Sequence, residues 1–243
     1  MMIGLGLGLT TPHGAPAPVL DPATLALSTF VRGSFAATPW VGVASAGPSG
    51  ARDWIAGINP DVGTALNGYD SASFNGTTHF LIVSGGLLTS DVITTTAYRF
   101  SLLAEFDTVP APAANAYDDA PIFGESGGNF GVVFNTAGVH CFHHDGAYKV
   151  ASSAAGVTTG TKYAIDVVYD GSSITVSVNA VAGTPVTAGT LGAIASAPRM
   201  GRNYAPGYAD LRIWDFYTSQ TALAGTTAAD HKAYINSRYG LSL

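Results

Sequence analysis

The chain has 243 residues, 47% of them hydrophobic and only 11% charged, where an average soluble domain carries roughly 25% charged residues. Ten basic and sixteen acidic residues leave a net charge of −6, and no basic stripe exists to neutralise several phosphates, which argues against a nucleic-acid partner. The single cysteine, Cys141, excludes an intrachain disulfide, and no stretch approaches the roughly 18 apolar residues of a membrane span.

The start, Met1-Met2-Ile3-Gly4-Leu5-Gly6-Leu7-Gly8-Leu9, lacks the charged region and small-residue cleavage site of a secretory leader. In an extended strand its alternation places Ile3, Leu5, Leu7 and Leu9 on one face, which makes an apolar arm able to dock on a partner. The other reading is a disordered terminus. Pro12, Gly14, Pro16, Pro18 and Pro22 give residues 10–22 a linker composition. The chain therefore divides into an arm and linker, 1–22, and a folded unit, 23–243.

From Leu25 onward short apolar runs alternate with Gly, Asn-Gly, Asp-Gly and Pro, the pattern of a sheet protein with tight turns. In Tyr98–Asp107 the residues Tyr98, Phe100, Leu102, Ala104 and Phe106 share one face, with Arg99, Ser101, Glu105 and Asp107 on the other. Phe130–Phe134 and Val139–His144 flank Asn135-Thr136-Ala137-Gly138 as a hairpin, and Tyr163–Tyr169 and Ile174–Val178 flank Asp170-Gly171-Ser172-Ser173 as a second. Asp210–Tyr217 is a strand with Leu211, Ile213 and Tyr217 on one face and Trp214 and Phe216 on the other, so it is covered on both sides. The last stretch alone is helical. Thr226 or Thr227 caps it, Asp230 sits in its first turn, Gly240 follows its end, and His231, Tyr234, Ile235 and Tyr239 line one side. Many strands at short spacing and one terminal helix predict an all-β, two-sheet antiparallel sandwich.

Several segments, in order, resemble the concanavalin A-like (laminin G-like) jelly-roll domains. Ser73-Phe74-Asn75-Gly76-Thr77-Thr78-His79-Phe80-Leu81 is similar to their opening strand, and Tyr98–Phe106 to the core strand that follows. Gly160–Tyr163 with Val167-Val168-Tyr169-Asp170-Gly171 resembles their hairpin, and Pro198-Arg199-Met200-Gly201-Arg202 a later strand. Tyr208–Trp214 resembles their closing strand, and Tyr234–Leu241 the terminal helix of many bacterial and phage members. Leu27–Gly33 and Pro39–Gly42 resemble the entry segment found in tailed-bacteriophage structural proteins. Asn179-Ala180 departs from the Asp-Gly usual in the second hairpin, which changes a turn and leaves the fold intact.

The resemblance also brings glycosidases into view. The glucanases of this fold carry E-x-D-x-x-E on one strand, whereas Glu105-Phe106-Asp107 is followed by Pro110 where the acid should stand. No catalytic residue is assigned, and Glu105 and Asp107 are expected at a strand end turning to solvent. In His140-Cys141-Phe142-His143-His144, strand alternation puts His140, Phe142 and His144 on one face and Cys141 and His143 on the other. His140 and His144 then lie about 13 Å apart, too far to share one ion, so these are half-buried strand histidines. Asn115, Asp118 and Asp119 are the candidate metal ligands, since some laminin G-like domains bind calcium through rim loops; calcium is the one cofactor this allows. Trp40, Trp54 and Trp214 are read as core residues before sugar-stacking ones.

The resemblance implies a non-catalytic bacteriophage virion protein, a head decoration or tail component made in the host cytoplasm. Its arm would dock on capsid or tail subunits in an oligomeric assembly, and cell-surface glycans would be further partners. The alternative is a lectin-like carbohydrate-binding module, with or without calcium, which rests on the fold.

Overall fold

A computed structural model of the chain describes residues 30–33, 40–44, 52–58, 60–83, 90, 93–125, 127–202, 207–222 and 226–243, with side chains from Pro60 onward, Val83 apart. The predicted arm residues Ile3, Leu5, Leu7 and Leu9 lie outside the described residues, as do the side chains of Trp40 and Trp54.

The strands are β1 (Phe30–Gly33), β2 (Trp40–Ala44), β3 (Arg52–Ile58), β4 (Asp61–Leu66), β5 (Tyr69–Asn75), β6 (Phe80–Val83), β7 (Tyr98–Phe106), β8 (Ala120–Glu125) and β9 (Phe130–Asn135). They continue as β10 (Gly138–His144), β11 (Tyr148–Ser152), β12 (Lys162–Tyr169), β13 (Ser173–Val178), β14 (Val181–Ala182), β15 (Val186–Thr187), β16 (Pro198–Met200) and β17 (Asp210–Ser219). One helix, α1 (Ala228–Tyr239), follows.

Antiparallel pairing arranges them in two sheets. The first runs β4–β5–β17–β7–β12–β13, with β14 and β15 on β13. The second runs β3–β6–β16–β8–β9–β10–β11. Along one side β1 pairs with the end of β17 and with β2, which pairs with β3, so the two sheets are hydrogen-bonded to each other there. This is the two-sheet antiparallel β-sandwich of jelly-roll type, with one short C-terminal helix, that the strand pattern predicts.

Its core lies between the sheets. Phe74, Phe100, Leu102 and Phe106 of the first sheet meet Phe123, Phe130, Val132 and Phe134 of the second. Rings stack across the gap: Phe106 on Phe134 at 4.0 Å between centroids, and Phe100 on Phe123 at 4.7 Å. A second cluster sits outside the first sheet, where Leu103, Ala164 and Trp214 pack under Tyr234, Ile235 and Tyr239 of α1. Both faces of β7 are therefore buried.

Two local expectations need correction. The segment 73–81 is not one strand. It turns after Asn75, so β5 joins the first sheet through β17 and β6 the second through β16. In β17 a bulge between Ile213 and Asp215 shifts the alternation by one residue. Phe216 thus joins Leu211 and Ile213 in the core, while Tyr217 turns outward to face His231, 5.5 Å away between ring centroids. Strand alternation read without the bulge assigns those two residues the opposite way.

Candidate functional site

The outer face of the second sheet is paved with aromatic rings. Registers place His140 opposite Ser152, Phe142 opposite Val150 and His144 opposite Tyr148. Cys141 points to the core, so these three β10 side chains point out, as the sequence alternation predicts. Phe142 lies across Gly131 of β9: a Cβ there would come within 2.4 Å of the Phe142 ring, so the ring needs the glycine.

Tyr117 completes the surface from a short turn, Ala116–Asp118. Its ring stacks on Tyr148 with centroids 4.8 Å apart and planes at 29°. Phe142 meets both edge-on, at 6.1 Å from Tyr148 and 6.4 Å from Tyr117, and His144 meets Tyr148 at 4.9 Å. Tyr148 keeps 42% of its surface exposed, and its hydroxyl donates to the Gly128 carbonyl at 3.2 Å. Tyr148 exposed, with Tyr117 and His144 half-buried around it over the buried Phe142, forms the kind of sheet-face patch that marks a ligand surface.

The turn bearing Tyr117 is held from below. Asp119, 4% exposed, accepts from the Ala113 N–H at 2.8 Å and from Asn135 Nδ2 at 2.7 Å, and the Thr136 N–H donates to the Pro110 carbonyl at 2.9 Å. The loop is thereby tied to the β9–β10 hairpin. Of the three candidate metal ligands, Asn115 and Asp118 are adjacent and exposed, with Asn115 Nδ2 donating to Asp118 Oδ2 at 3.1 Å. Asp119 turns away from them, with both oxygens engaged. Among the described residues no three His, Cys, Asp or Glu side chains group to hold a metal ion.

Burial pushes the His140 imidazole below its ordinary value, against an opposing pull from Asp119, so it is neutral at neutral pH. Its Nδ1 lies 2.8 Å from Ser152 Oγ.

The groups that would suggest catalysis are engaged structurally. Glu105 is 6% exposed rather than turning to solvent; Lys162 Nζ lies 2.7 Å from it and Arg212 Nη1 3.3 Å. Asp107 binds Arg212 in turn, with Nε at 2.9 Å. Burial pushes the Cys141 thiol up to about 12, which leaves no thiolate at neutral pH. His143, buried beside it, donates from Nε2 to the Gly189 carbonyl at 2.9 Å and faces the Tyr98 hydroxyl at 3.3 Å through Nδ1. Trp214 is a core residue, 2% exposed, with its indole N–H donating to the Thr64 carbonyl at 2.8 Å.

Sequence reading missed the aromatic face. The alternation of β10 does put Phe142 outward, but Tyr117 sits in a loop with no periodicity to place it over Tyr148, 31 positions away.

No family model and no curated protein matches the sequence. Solved structures do match. Domain 4 of AbnA, a GH43 extracellular arabinanase from Geobacillus stearothermophilus solved in complex with arabinotriose, is similar at a TM-score of 0.57 and 15% identity, over 78% of this chain and 92% of that one. The binding domain of botulinum neurotoxin DC, in complex with SialylT, is similar at 0.58 and 9% identity, over 87% of this chain and 51% of that one. Trypanosoma rangeli sialidase is similar at 0.56 and 9% identity, and this chain spans only 32% of its length. Likeness at such identities is one of fold, and the fold is a jelly-roll sandwich shared with domains solved with glycans bound.

Proposed function

We propose that the chain is a non-catalytic, lectin-like carbohydrate-binding module, and that the aromatic face of Tyr117, His144 and Tyr148, built over the buried Phe142, is where sugar rings stack. One observation carries this reading: a stacked tyrosine pair, Tyr148 exposed and Tyr117 half-buried, laid on Phe142, which Gly131 makes room for, with the loop of Tyr117 held in place by the Asp119–Asn135 hydrogen bond. The C–H faces of a pyranose or furanose ring suit such a surface, and the tyrosine hydroxyls at its rim suit the sugar hydroxyls. The neutral His140 on this face suits neutral sugars. The similarity to sandwich domains solved with arabinotriose and SialylT supports the same class of ligand.

The virion reading, with Ile3, Leu5, Leu7 and Leu9 as a docking arm, rests on sequence resemblance and on residues outside those described. The solved structures similar to this chain support the lectin-like alternative better.

A glycan microarray probed with the tagged full chain tests the proposal. Binding to neutral oligosaccharides is expected, and it should persist in EDTA because the oxygens of Asp119 are already committed. An array with no bound glycan, with and without calcium, would count against the module.

A further inference from the structure

The end of the sandwich where β5 turns into β6 holds a cleft of about 290 Å³, separate from the aromatic face. Its walls include Asn75, Thr77, Thr108, Pro110, Tyr208 and Asp210. They are fixed without a ligand. Asn75 Oδ1 accepts from the N–H groups of Thr77, Thr78 and His79 at 3.1, 2.9 and 3.1 Å, which locks the turn. Gly76, at φ 68°, lets that turn press so close to β17 that a Cβ would lie 2.9 Å from Asp210 Cβ. Across the cleft, Thr108 Oγ1 donates to Asp210 Oδ2 at 2.6 Å.

Beside Tyr208 stands an arginine that has no counter-charge among the described residues. The Arg202 guanidinium carbon is 4.9 Å from the Tyr208 ring centroid and 5.2 Å from that of Phe80, a position held by cation–π attraction. A backbone bridge joins Arg202 to Tyr208. Among the described residues no carboxylate lies within ion-pair distance of Arg202, and its Nε is buried without an acceptor. Asp210 is differently placed. Arg212, whose pKa is raised first by its hydrogen bond to Asp107, also feels the charge of Asp210, two residues away on β17. The cleft thus joins hydroxyl-binding groups and an aromatic wall, Tyr208, and the guanidinium held against that wall has no carboxylate partner among the described residues.

We propose that this cleft is a second sugar site, selective for a single ring that carries a carboxylate, of the uronic acid class. The ring lies against Tyr208, its hydroxyls meet Thr77, Thr108 and Asp210, and its carboxylate meets the Arg202 guanidinium, the planar donor suited to that group. A volume at the small end of the roughly 300–1,000 Å³ of ligand sites admits one compact ring and disfavours an acidic sugar with a long side chain. The site stands independently of the aromatic face.

The test is a titration of the 15N-labelled full chain with trigalacturonate and, separately, with the neutral trimer of galactose, followed by amide chemical shifts. Trigalacturonate should shift Thr77, Thr108 and Tyr208 and leave Tyr117 and Tyr148 in place, and the neutral trimer should leave all three rim amides unmoved. Arg202→Gln should weaken trigalacturonate binding at least tenfold, whereas Tyr148→Ala should not change it. Equal binding of both trimers at the rim, an unchanged affinity in Arg202→Gln, shifts confined to β10 and β11, or no shift at all would each overturn the proposal. If Arg202→Gln loses its native spectrum, the preference of the unaltered chain for the acidic trimer decides.

Discussion

Arg99 is 1% exposed, a charge set on the outer face of β7 and then covered by the start of α1. Asp166 of β12, opposite Ser101 in the register, holds it at two points, Nε to Oδ1 at 2.7 Å and Nη2 to Oδ2 at 3.1 Å. Ser101 donates to the same carboxylate, and Arg99 donates onward to the Thr226 hydroxyl and, at 3.0 Å, to the Thr227 carbonyl. Removing one partner strands a buried charge, at a cost of about 3–5 kcal/mol. Asp166→Ala should therefore lower unfolding free energy by about that much in urea denaturation, while the double change Arg99→Met with Asp166→Leu should lose clearly less. A single variant as stable as the parent would show that the pair is not held as described. The sequence placed Arg99 and Ser101 on one face by alternation alone. It carried no sign that the face was covered, because the covering helix lies about 130 positions further along. The same limit applies to Phe216 and Tyr217: a bulge follows from how β17 meets β7 across the sheet, which no run of residues in β17 discloses.

At the scale of an element, α1 was the most legible piece because its signals are local. Thr227 accepts from the Asp230 N–H at 3.2 Å while the Asp230 carboxylate accepts from the Thr227 N–H at 2.7 Å, and Gly240 ends the helix in the left-handed region at φ 66°. The four residues predicted to line one side, His231, Tyr234, Ile235 and Tyr239, are the ones it buries. His231 gives this docking a pH dependence. Its Nε2–H points to the Leu102 carbonyl at 3.3 Å, its Nδ1 is buried without a partner, and the charged groups facing it are Arg99 of β7 and Asp166 of β12. Burial lowers its pKa from 6.5 to about 4, with Asp166 opposing and Arg99 assisting. Between those values the unfolded chain binds more protons than the folded one. Stability is then fully present above pH 6.5 and drains away as pH falls toward 4. Urea denaturation across this range should show a slope that His231→Phe reduces by about one proton. An unchanged slope in the variant would remove His231 as its source. The aromatic face is the contrasting case. Alternation in β10 and the register with β11 could be guessed from the hairpin pattern, but Tyr117 reaches Tyr148 only through the loop tie of Asp119 to Asn135.

For the whole molecule, the sandwich presents two unlike outer faces. The first sheet is closed by α1 over Leu103, Ala164 and Trp214, and the second carries aromatic rings with Tyr148 open to solvent. Composition foretold a sandwich with few charges, and the resemblance foretold its jelly-roll type. Neither could choose the working face, because that depends on which sheet the helix covers. The rigid part of the design is the interior, where rings from opposite sheets stack, and the aromatic face inherits its geometry from β9 and β10 beneath it. Its chemistry can therefore be altered with little effect on folding. The most direct measurement is isothermal titration calorimetry of the unaltered chain and Tyr148→Ala against the best neutral oligosaccharide from the array. Tyr148 is 42% exposed, so the change should leave the urea midpoint in place while weakening binding at least tenfold, a difference of about 1.4 kcal/mol or more. Equal dissociation constants for the two proteins would contradict the assignment of this face as the sugar-binding surface.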